Sequence, residues 1–316
     1  MIYQTMLITG CGGDIGLALG QIARNSRLAG RLVGCDIHAD HPGKLIFDAC
    51  ELVPPADSDD YFNRLGDIIK KYEIDVVVPM SEAEIERFAD AGFLRNVLSA
   101  DVISANALAI RTGLDKFETY QMLRRNNLPA PWTGIVGKDE PLSFPCIVKP
   151  RRGQGGKGIV RAEAENAAAI RRTRQGDLWQ ELILPDNAEF TCGLYRGGTE
   201  MELRTIIFAR QLQGGITRTA EVAEDKRIEE LLRKIADAVE LVGAINIQLR
   251  VDGEGPKVFE INPRFSSTVG FRDRLGYCDF VWSVVTRKGL AIGDYRPPMV
   301  GTKIYRGTSL LVVPPA

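Results

Sequence analysis

Residues 244–268, AINIQLRVDGEGPKVFEINPRFSST, restrict the fold more than any other stretch of the chain. Ile245, Ile247, Leu249 and Val251 alternate with Ala244, Asn246, Gln248 and Arg250, the period of a strand buried on one side. Residues 252–255 (DGEG) form a turn, and Val258, Glu260 and Asn262 then alternate with Phe259 and Ile261. A hairpin closed near Glu254 sets Gln248 opposite Glu260 and Asn246 opposite Asn262, with facing Cβ atoms ~5 Å apart. One carboxylate with side-chain amides at that range makes an all-oxygen site, which suits Mg²⁺ and leaves room for substrate phosphates. Pro263 cannot continue the ladder, and Arg264 follows it. An ordinary amphipathic hairpin with a solvated polar face has the same alternation, so both readings stay open at this point.

At 316 residues the chain calls for two or three folding units. A net charge of −1 supplies no field for nucleic acid or an anionic membrane. No run approaches the ~18 apolar residues of a membrane span. The opening MIYQTMLITG has no basic region or cleavage site, so it reads as a first buried strand and not as a signal peptide. Six cysteines lie scattered without a C-x-x-C pair, which argues against zinc and against a disulfide framework and fits a reducing cytoplasm. His38 and His41 are the only imidazoles. Both fall in the loop-like DIHADHPG and read as solvated, so histidine-centred catalysis is not expected.

Residues 6–10 form an apolar strand running into TGCGGDIG, a helix is expected over 17–26, and 31–36 (RLVGCD) is a second strand ending on Asp36. This βαβ spacing resembles a dinucleotide-binding fingerprint, and the G-x-x-G-x-x-G pattern of Gly10, Gly13 and Gly16 is similar to that of short-chain dehydrogenases and epimerases. That family also needs Y-x-x-x-K. None of the eight tyrosines has lysine four residues on, and Tyr120 has Arg124 there. A helix at 61–72 and a strand at 74–79 (IDVVVP) deliver Glu82 and Glu84 to the sheet edge, where they either meet a substrate amine or favour the helix dipole. A helix over 83–91 and a strand over 102–104 complete a first unit.

A linker is expected over 106–114, followed by a helix with Asp115 and Glu118 as a capping box and Lys116 in its first turn. A cation there opposes the helix dipole, so it points to solvent or meets an anion. Residues 144–161, FPCIVKPRRGQGGKGIVR, read as a hairpin whose tip is a glycine loop: a strand delivers Lys149, then Gly153, Gly155, Gly156 and Gly158 alternate with cations. Glycine brings backbone N–H groups close to phosphates, although the spacing is not that of a Walker A loop. A helix is expected over 163–174 and an edge-like strand over 178–183 (LWQELI), with Glu189 soon after. Strands follow at 190–195, 202–208 and 216–220. A helix runs over 226–242, where Ile228, Leu231, Leu232, Ile235, Val239 and Val242 share a face and Gly243 is the C-cap. Residues 270–290 look helical and 302–313 a terminal strand.

Taken in order, NIQLRVDGEGPKVFEINPRFSST, IVKPRRGQGGKGI and WQELI resemble the ATP-grasp superfamily, most strongly its carbamoyl-phosphate-synthase-like and biotin-carboxylase-like carboxylate–amine ligases. The resemblance implies an α/β and α+β architecture: a Rossmann-like pre-ATP-grasp domain (1–105), then an ATP-grasp fold of two subdomains, 106–180 with the glycine flap and 181–316 with the metal site. It implies that Lys116 and Lys149 contact ATP phosphates and that Gly153, Gly155, Gly156 and Gly158 close over them. Gln180, Glu181, Leu182 and Ile183 would frame adenine and Glu189 the ribose. Gln248, Glu260 and Asn262 would hold Mg²⁺, or Mn²⁺ in its place, and Arg264 would stabilise the transferred phosphoryl group. Glutamine at 248, where many such ligases have a carboxylate, should weaken metal binding without nucleotide. Arg204, Arg218 and Glu221 are expected on the acceptor side, with Arg218 pairing either a substrate anion or Glu221. The sequence shows no biotin-carboxylase-type extension, second ATP-grasp copy or glutaminase, so a complete carbamoyl phosphate synthase is not expected.

The expected activity is ATP- and Mg²⁺-dependent ligation of a small-molecule carboxylate to an amine, with an amino-acid, peptide or sugar-acid substrate. The expected setting is cytoplasmic, without nucleic acid or membrane partners, and the first domain offers a homodimer face. Two alternatives stand: an NAD-dependent oxidoreductase or epimerase built on TGCGGDIG and Asp36, and a non-catalytic ATP-binding module.

Overall fold

The computed structural model describes residues 1–90, 100–153, 155–185, 188–198 and 201–307. Residue 91, Gln154, residues 186–187 and residues 308–313 of the expectations above lie outside them. Among the described residues no helix is long and apolar enough to cross a membrane.

The N-terminal third is a five-stranded parallel sheet, order β3-β2-β1-β4-β5, built from β1 (Tyr3–Thr9), β2 (Ala29–Asp36), β3 (Ala49–Leu52), β4 (Val76–Val78) and β5 (Asp101–Val102). Helices α1 (Asp14–Asn25), α2 (Tyr61–Tyr72) and α3 (Glu82–Asp90) connect its strands. The glycines of TGCGGDIG serve this packing. A Cβ on Gly16 would sit 2.2 Å from the Gly10 carbonyl oxygen, so only glycine lets α1 start so close to β1. The Glu84 carboxylate is buried at the sheet's edge, where it accepts from Thr9 Oγ1 (2.7 Å), Tyr61 OH (2.5 Å) and the Ser81 N–H (2.9 Å). It ties the end of β1 and the start of α2 to α3.

The expected linker at 106–114 is instead helix α4 (Ala107–Leu114), with Ala109 and Ile110 fully buried. Helix α5 (Lys116–Arg125) is capped by Asp115, whose side chain accepts from the Phe117 N–H at 2.9 Å. Strands β6 (Thr133–Ile135), β7 (Cys146–Lys149), β8 (Val160–Ala162) and β9 (Leu178–Glu181) form a sheet of order β6-β9-β7-β8 covered by α6 (Ala167–Thr173). The 178–183 stretch, expected at an edge, is therefore an inner strand paired on both sides, which explains why Leu178 and Trp179 are fully buried.

A six-stranded sheet, order β14-β13-β10-β11-β12-β15, completes the fold. It comprises β10 (Glu189–Gly197), β11 (Glu202–Gln213), β12 (Ile216–Ala223), β13 (Gly243–Asp252), β14 (Gly255–Asn262) and the short β15 (Lys303–Tyr305). One face packs on α7 (Lys226–Ala238) and α4, the other on α8 (Val269–Arg274) and α9 (Asp279–Arg287). Helix α7 ends earlier than its apolar period suggests. Glu240, at φ 47°, takes the left-handed position, and the Leu241 N–H returns to the Ala236 carbonyl at 2.8 Å. Gly243 is the first residue of β13, not the cap. The core under α8 and α9 runs on into the parallel sheet through Ile8, Leu19 and Val78, so the two sheets share one apolar interior.

Candidate functional site

A cleft of about 880 Å³ opens between the two antiparallel sheets, with the first turn of α1 at one end. Its floor is the β13–β14 hairpin in the register read from the sequence: Gln248 faces Glu260 and Asn246 faces Asn262. The ladder slips by one residue between Gln248 and Leu249, beside the polar pair. Among the described residues the Glu260 carboxylate has no hydrogen-bonding or ion-pairing partner, while the buried Nδ2 atoms of Asn246 and Asn262 are also unpaired. Asn246 Oδ1 is occupied, accepting from Thr191 Oγ1 at 3.0 Å and Arg272 at 3.3 Å. Glu260 and Asn262 thus offer oxygen to the cleft, a donor set that fits a hard divalent cation. Gln248 is less free, because its Oε1 accepts from Arg210 at 2.9 Å.

The other wall carries the cations. Lys149 is only 3% exposed, with Nζ donating to the Phe259 carbonyl at 3.1 Å. Burial pushes its ammonium down to about 8, with Lys116 pushing the same way and Glu260 opposing. Lys116 Nζ donates to the Gly153 carbonyl, so the helix-start lysine meets the glycine loop. In that loop Gly153, Gly155, Gly156 and Gly158 all have positive φ, from 67° to 104°. A side chain at any of them would be strained. The loop also touches the β11–β12 turn: a Cβ on Gly215 would come within 3.3 Å of the Gly155 carbonyl oxygen. Flap and turn therefore close the cleft from opposite sheets.

Of the residues singled out in the sequence, Lys116, Lys149, Gly153, Gly155, Gly156, Gln180, Glu181, Leu182, Ile183, Glu189, Gln248, Glu260, Asn262 and Arg264 all line this cleft. Two do not. Gly158 sits at the base of the loop, where a Cβ would press on Pro150 at 3.2 Å and its carbonyl accepts from Arg174. Arg218 is exposed at the β11–β12 bulge, outside the cleft, and the expected pairing with Glu221 does not form; Glu221 lies 3.5 Å from Lys303. Arg204 is buried against the Trp282 ring and paired with Glu202, away from the cleft.

Glu189 is no surface charge. One oxygen takes Arg210 and the other Arg250, at 2.5 and 2.8 Å, all three side chains being largely buried. Arg250 also donates to the Ile183 carbonyl at 3.1 Å, and Lys257 holds Glu181 at 2.8 Å. These links fix the segment leaving β9. Arg210 lies past the expected end of its strand at Phe208, whereas β11 runs five residues further, to Gln213. Arg264 lies 3.3 Å from Glu82, which ties the cleft to the parallel sheet.

The glycine turn of the first sheet is filled by its own chain. Asp36 accepts from the N–H groups of Gly12 (2.9 Å) and His38 (3.0 Å), so the carboxylate that a dinucleotide ribose would need is already engaged. His38 is exposed as expected, but His41 is half-buried against Gly12.

A two-lobed nucleotide clasp with a cationic glycine flap over an acid–amide floor defines a class of phosphate-handling proteins. Residues 114–268 match the ATP-grasp domain model, so the chain carries an ATP-grasp domain. A probable alpha-L-glutamate ligase from Shewanella loihica is 24% identical over 221 residues, 63% of this chain and 70% of that protein. The carbamoyl phosphate synthase large chain of Methanoculleus marisnigri is 24% identical over 258 residues; the match covers 74% of this chain but only 24% of that one. N5-carboxyaminoimidazole synthetase from Staphylococcus aureus, solved with ADP, superposes with a TM-score of 0.73 at 18% identity, covering 92% of this chain and 79% of that one. The alternative of an NAD-dependent oxidoreductase finds no support in these relatives.

Proposed function

We propose that the chain is an ADP-forming ligase that activates a small-molecule carboxylate with ATP and joins it to an amine. The observation that carries this reading is the unpartnered Glu260 carboxylate, facing Lys149 beneath the glycine flap. In this reading residues 1–105 are the pre-ATP-grasp domain, 106–180 the flap subdomain and 181–316 the floor subdomain. Lys116, Lys149 and the flap N–H groups bind the phosphates, and the 180–183 segment frames the base. Glu189 holds Arg210 and Arg250 in place and reaches the ribose only if one of them lets go. Glu260, Asn262 and, once Arg210 is drawn to phosphate, Gln248 would hold Mg²⁺ or Mn²⁺. That ion supplies charge neutralisation between the phosphates.

The chain's own groups do the rest by position and charge. Lys149 and Arg264 spread the charge of the phosphoryl group as it moves to the substrate carboxylate, giving an acyl phosphate. An amine then displaces phosphate and the amide forms. No protein nucleophile is required by this route, and among the described residues no histidine or cysteine lines the cleft. Six scattered cysteines support a cytoplasmic setting. The test is an ADP-release screen over pooled carboxylates and amines, with Glu260→Gln as control. Turnover that requires both an acid and an amine and vanishes in the variant supports the ligase. ATP binding without ADP release in every pool leaves the non-catalytic module.

A further inference from the structure

We propose that Cys11 and Cys50 form an oxidisable dithiol, a modification site lying behind the first glycine turn and separate from the nucleotide cleft. Cys11 follows β1, and Cys50 lies on β3, two strands away. Gly34, on the intervening β2, pairs with Cys50 and removes the obstacle between them. A Cβ there would stand 2.6 Å from Cys11 Sγ, so only glycine lets the Cys11 side chain reach across β2. The sulfurs of Cys11 and Cys50 and one nitrogen of His41 all lie within 4.8 Å of one another.

The hydrogen bonds around the cluster run in one direction. His41 Nδ1 accepts from the Gly43 N–H at 3.1 Å, which places the imidazole proton on Nε2. Nε2 stands 3.8 Å from Cys11 Sγ and so donates to it. The Cys11 thiol beside it, then Lys44, lowers the Cys50 thiol, while Cys50 and burial raise Cys11. Cys50 is the half-buried member and Cys11 is fully buried. The arrangement is thus a half-exposed thiol whose ionisation is favoured, backed by a second, buried thiol whose ionisation is disfavoured. The same proton argues against a metal centre, since a ligating Nε2 must be unprotonated and would need its other nitrogen to donate, whereas Nδ1 here accepts.

The co-reactant is a peroxide. The Cys50 thiolate attacks one peroxide oxygen, the O–O bond breaks, and hydroxide leaves with a proton from solvent, giving a sulfenic acid and water. Cys11 sulfur then attacks Cys50 sulfur. The S–S bond forms, the S–O bond breaks, and the departing hydroxide takes the Cys11 proton as a second water. The turn that carries Cys11 leads straight into Asp14 and Ile15, which line the end of the cleft, so oxidation ties that wall to β3.

The test exposes the full-length chain to hydrogen peroxide, blocks remaining thiols with N-ethylmaleimide and measures intact and peptide masses. The expected result is two fewer alkylated cysteines, a mass loss of about 2 Da and a Cys11–Cys50 linked peptide, all reversed by dithiothreitol. Cys11→Ser should stop at a Cys50 adduct of about 16 Da that dimedone traps. Cys50→Ala, which leaves the buried Cys11 undisturbed, should show neither. Cys11 and Cys50 remaining alkylatable at a dose that oxidises an exposed thiol would overturn the proposal. So would one equivalent of added Zn²⁺ binding to the cluster and shielding both thiols.

Discussion

Lys149 gives the sharpest test of the proposed phosphate site. An ordinary lysine titrates near 10.5, and burial holds this one near 8 in the ligand-free protein. The gap is about two and a half pH units, which at ~1.4 kcal/mol each amounts to roughly 3.5 kcal/mol disfavouring the ammonium. A triphosphate beside Nζ favours the ammonium and restores its affinity for the proton. Nucleotide binding therefore takes up a proton wherever free Lys149 is neutral. At pH 8.5 only about a quarter of the free protein carries the charge, so binding should take up about 0.7 proton. Affinity should be level below pH 7 and fall toward ten-fold per pH unit above 8.5. Calorimetry of Mg·nucleotide binding in two buffers of different ionisation heat reads the uptake directly. Lys149→Arg keeps the charge but cannot release the proton, so its uptake should vanish. The sign for stability is fixed too. A folded-state value below the unfolded one contributes stability above 10.5 that is lost as pH falls through 8. The ligand-free wild type should accordingly gain melting temperature relative to Lys149→Met between pH 7 and 9.5. Equal proton uptake in wild type and Lys149→Arg would refute the assignment of this lysine to phosphate.

Glu260→Gln should cut ADP release more than 100-fold in a coupled assay while its unfolding midpoint stays near wild type, because no protein group loses a partner. Gly156→Val places a branched side chain at φ 67° and should cost the flap about 1–2 kcal/mol, read as a several-fold rise in KM for ATP with little change in melting temperature. Tyr61→Phe removes a 2.5 Å donor from the buried Glu84 carboxylate and should lower stability by about 1–3 kcal/mol in urea titrations without altering nucleotide affinity.

What could be read from the chain alone was what repeats locally. The hairpin register at Gln248 and Glu260 follows from a period of two and a short turn, and the 61–72 helix from its apolar spacing. What escaped depends on contacts distant in sequence. Strand β3 has only four residues, and its pairing with β2 shows only in space. Helix α4 read as a linker because its amphipathic span is short, and part of its burial comes from β14, far along the chain. Trp179 and Gln180 gave no hint that β9 would be flanked on both sides. The Arg210–Glu189–Arg250 bridge joins three strands, so no single stretch reveals it, and Arg218 was misplaced because a bulge turned it out of the cleft.

The charge balance of the cleft links these parts. Its floor carries a single unpartnered carboxylate beside neutral amides, while Glu189 and Glu181 are each neutralised by neighbouring cations. A lone Glu260 with amide oxygens binds a divalent ion weakly by itself. Opposite it stand Lys149, Lys116 and Arg210; burial, and after it Lys116, already depresses Lys149. Neither wall is satisfied alone, and bringing both together requires a ligand that is anionic toward the lysines and offers oxygens toward the floor. A metal-loaded polyphosphate meets both demands at once, whereas a bare cation or a bare phosphate meets one. On the proposed reading, recognition in this cleft would rest on the pairing of the two charges, and Gln248, held here by Arg210, would become available to the metal only once phosphate drew that arginine away.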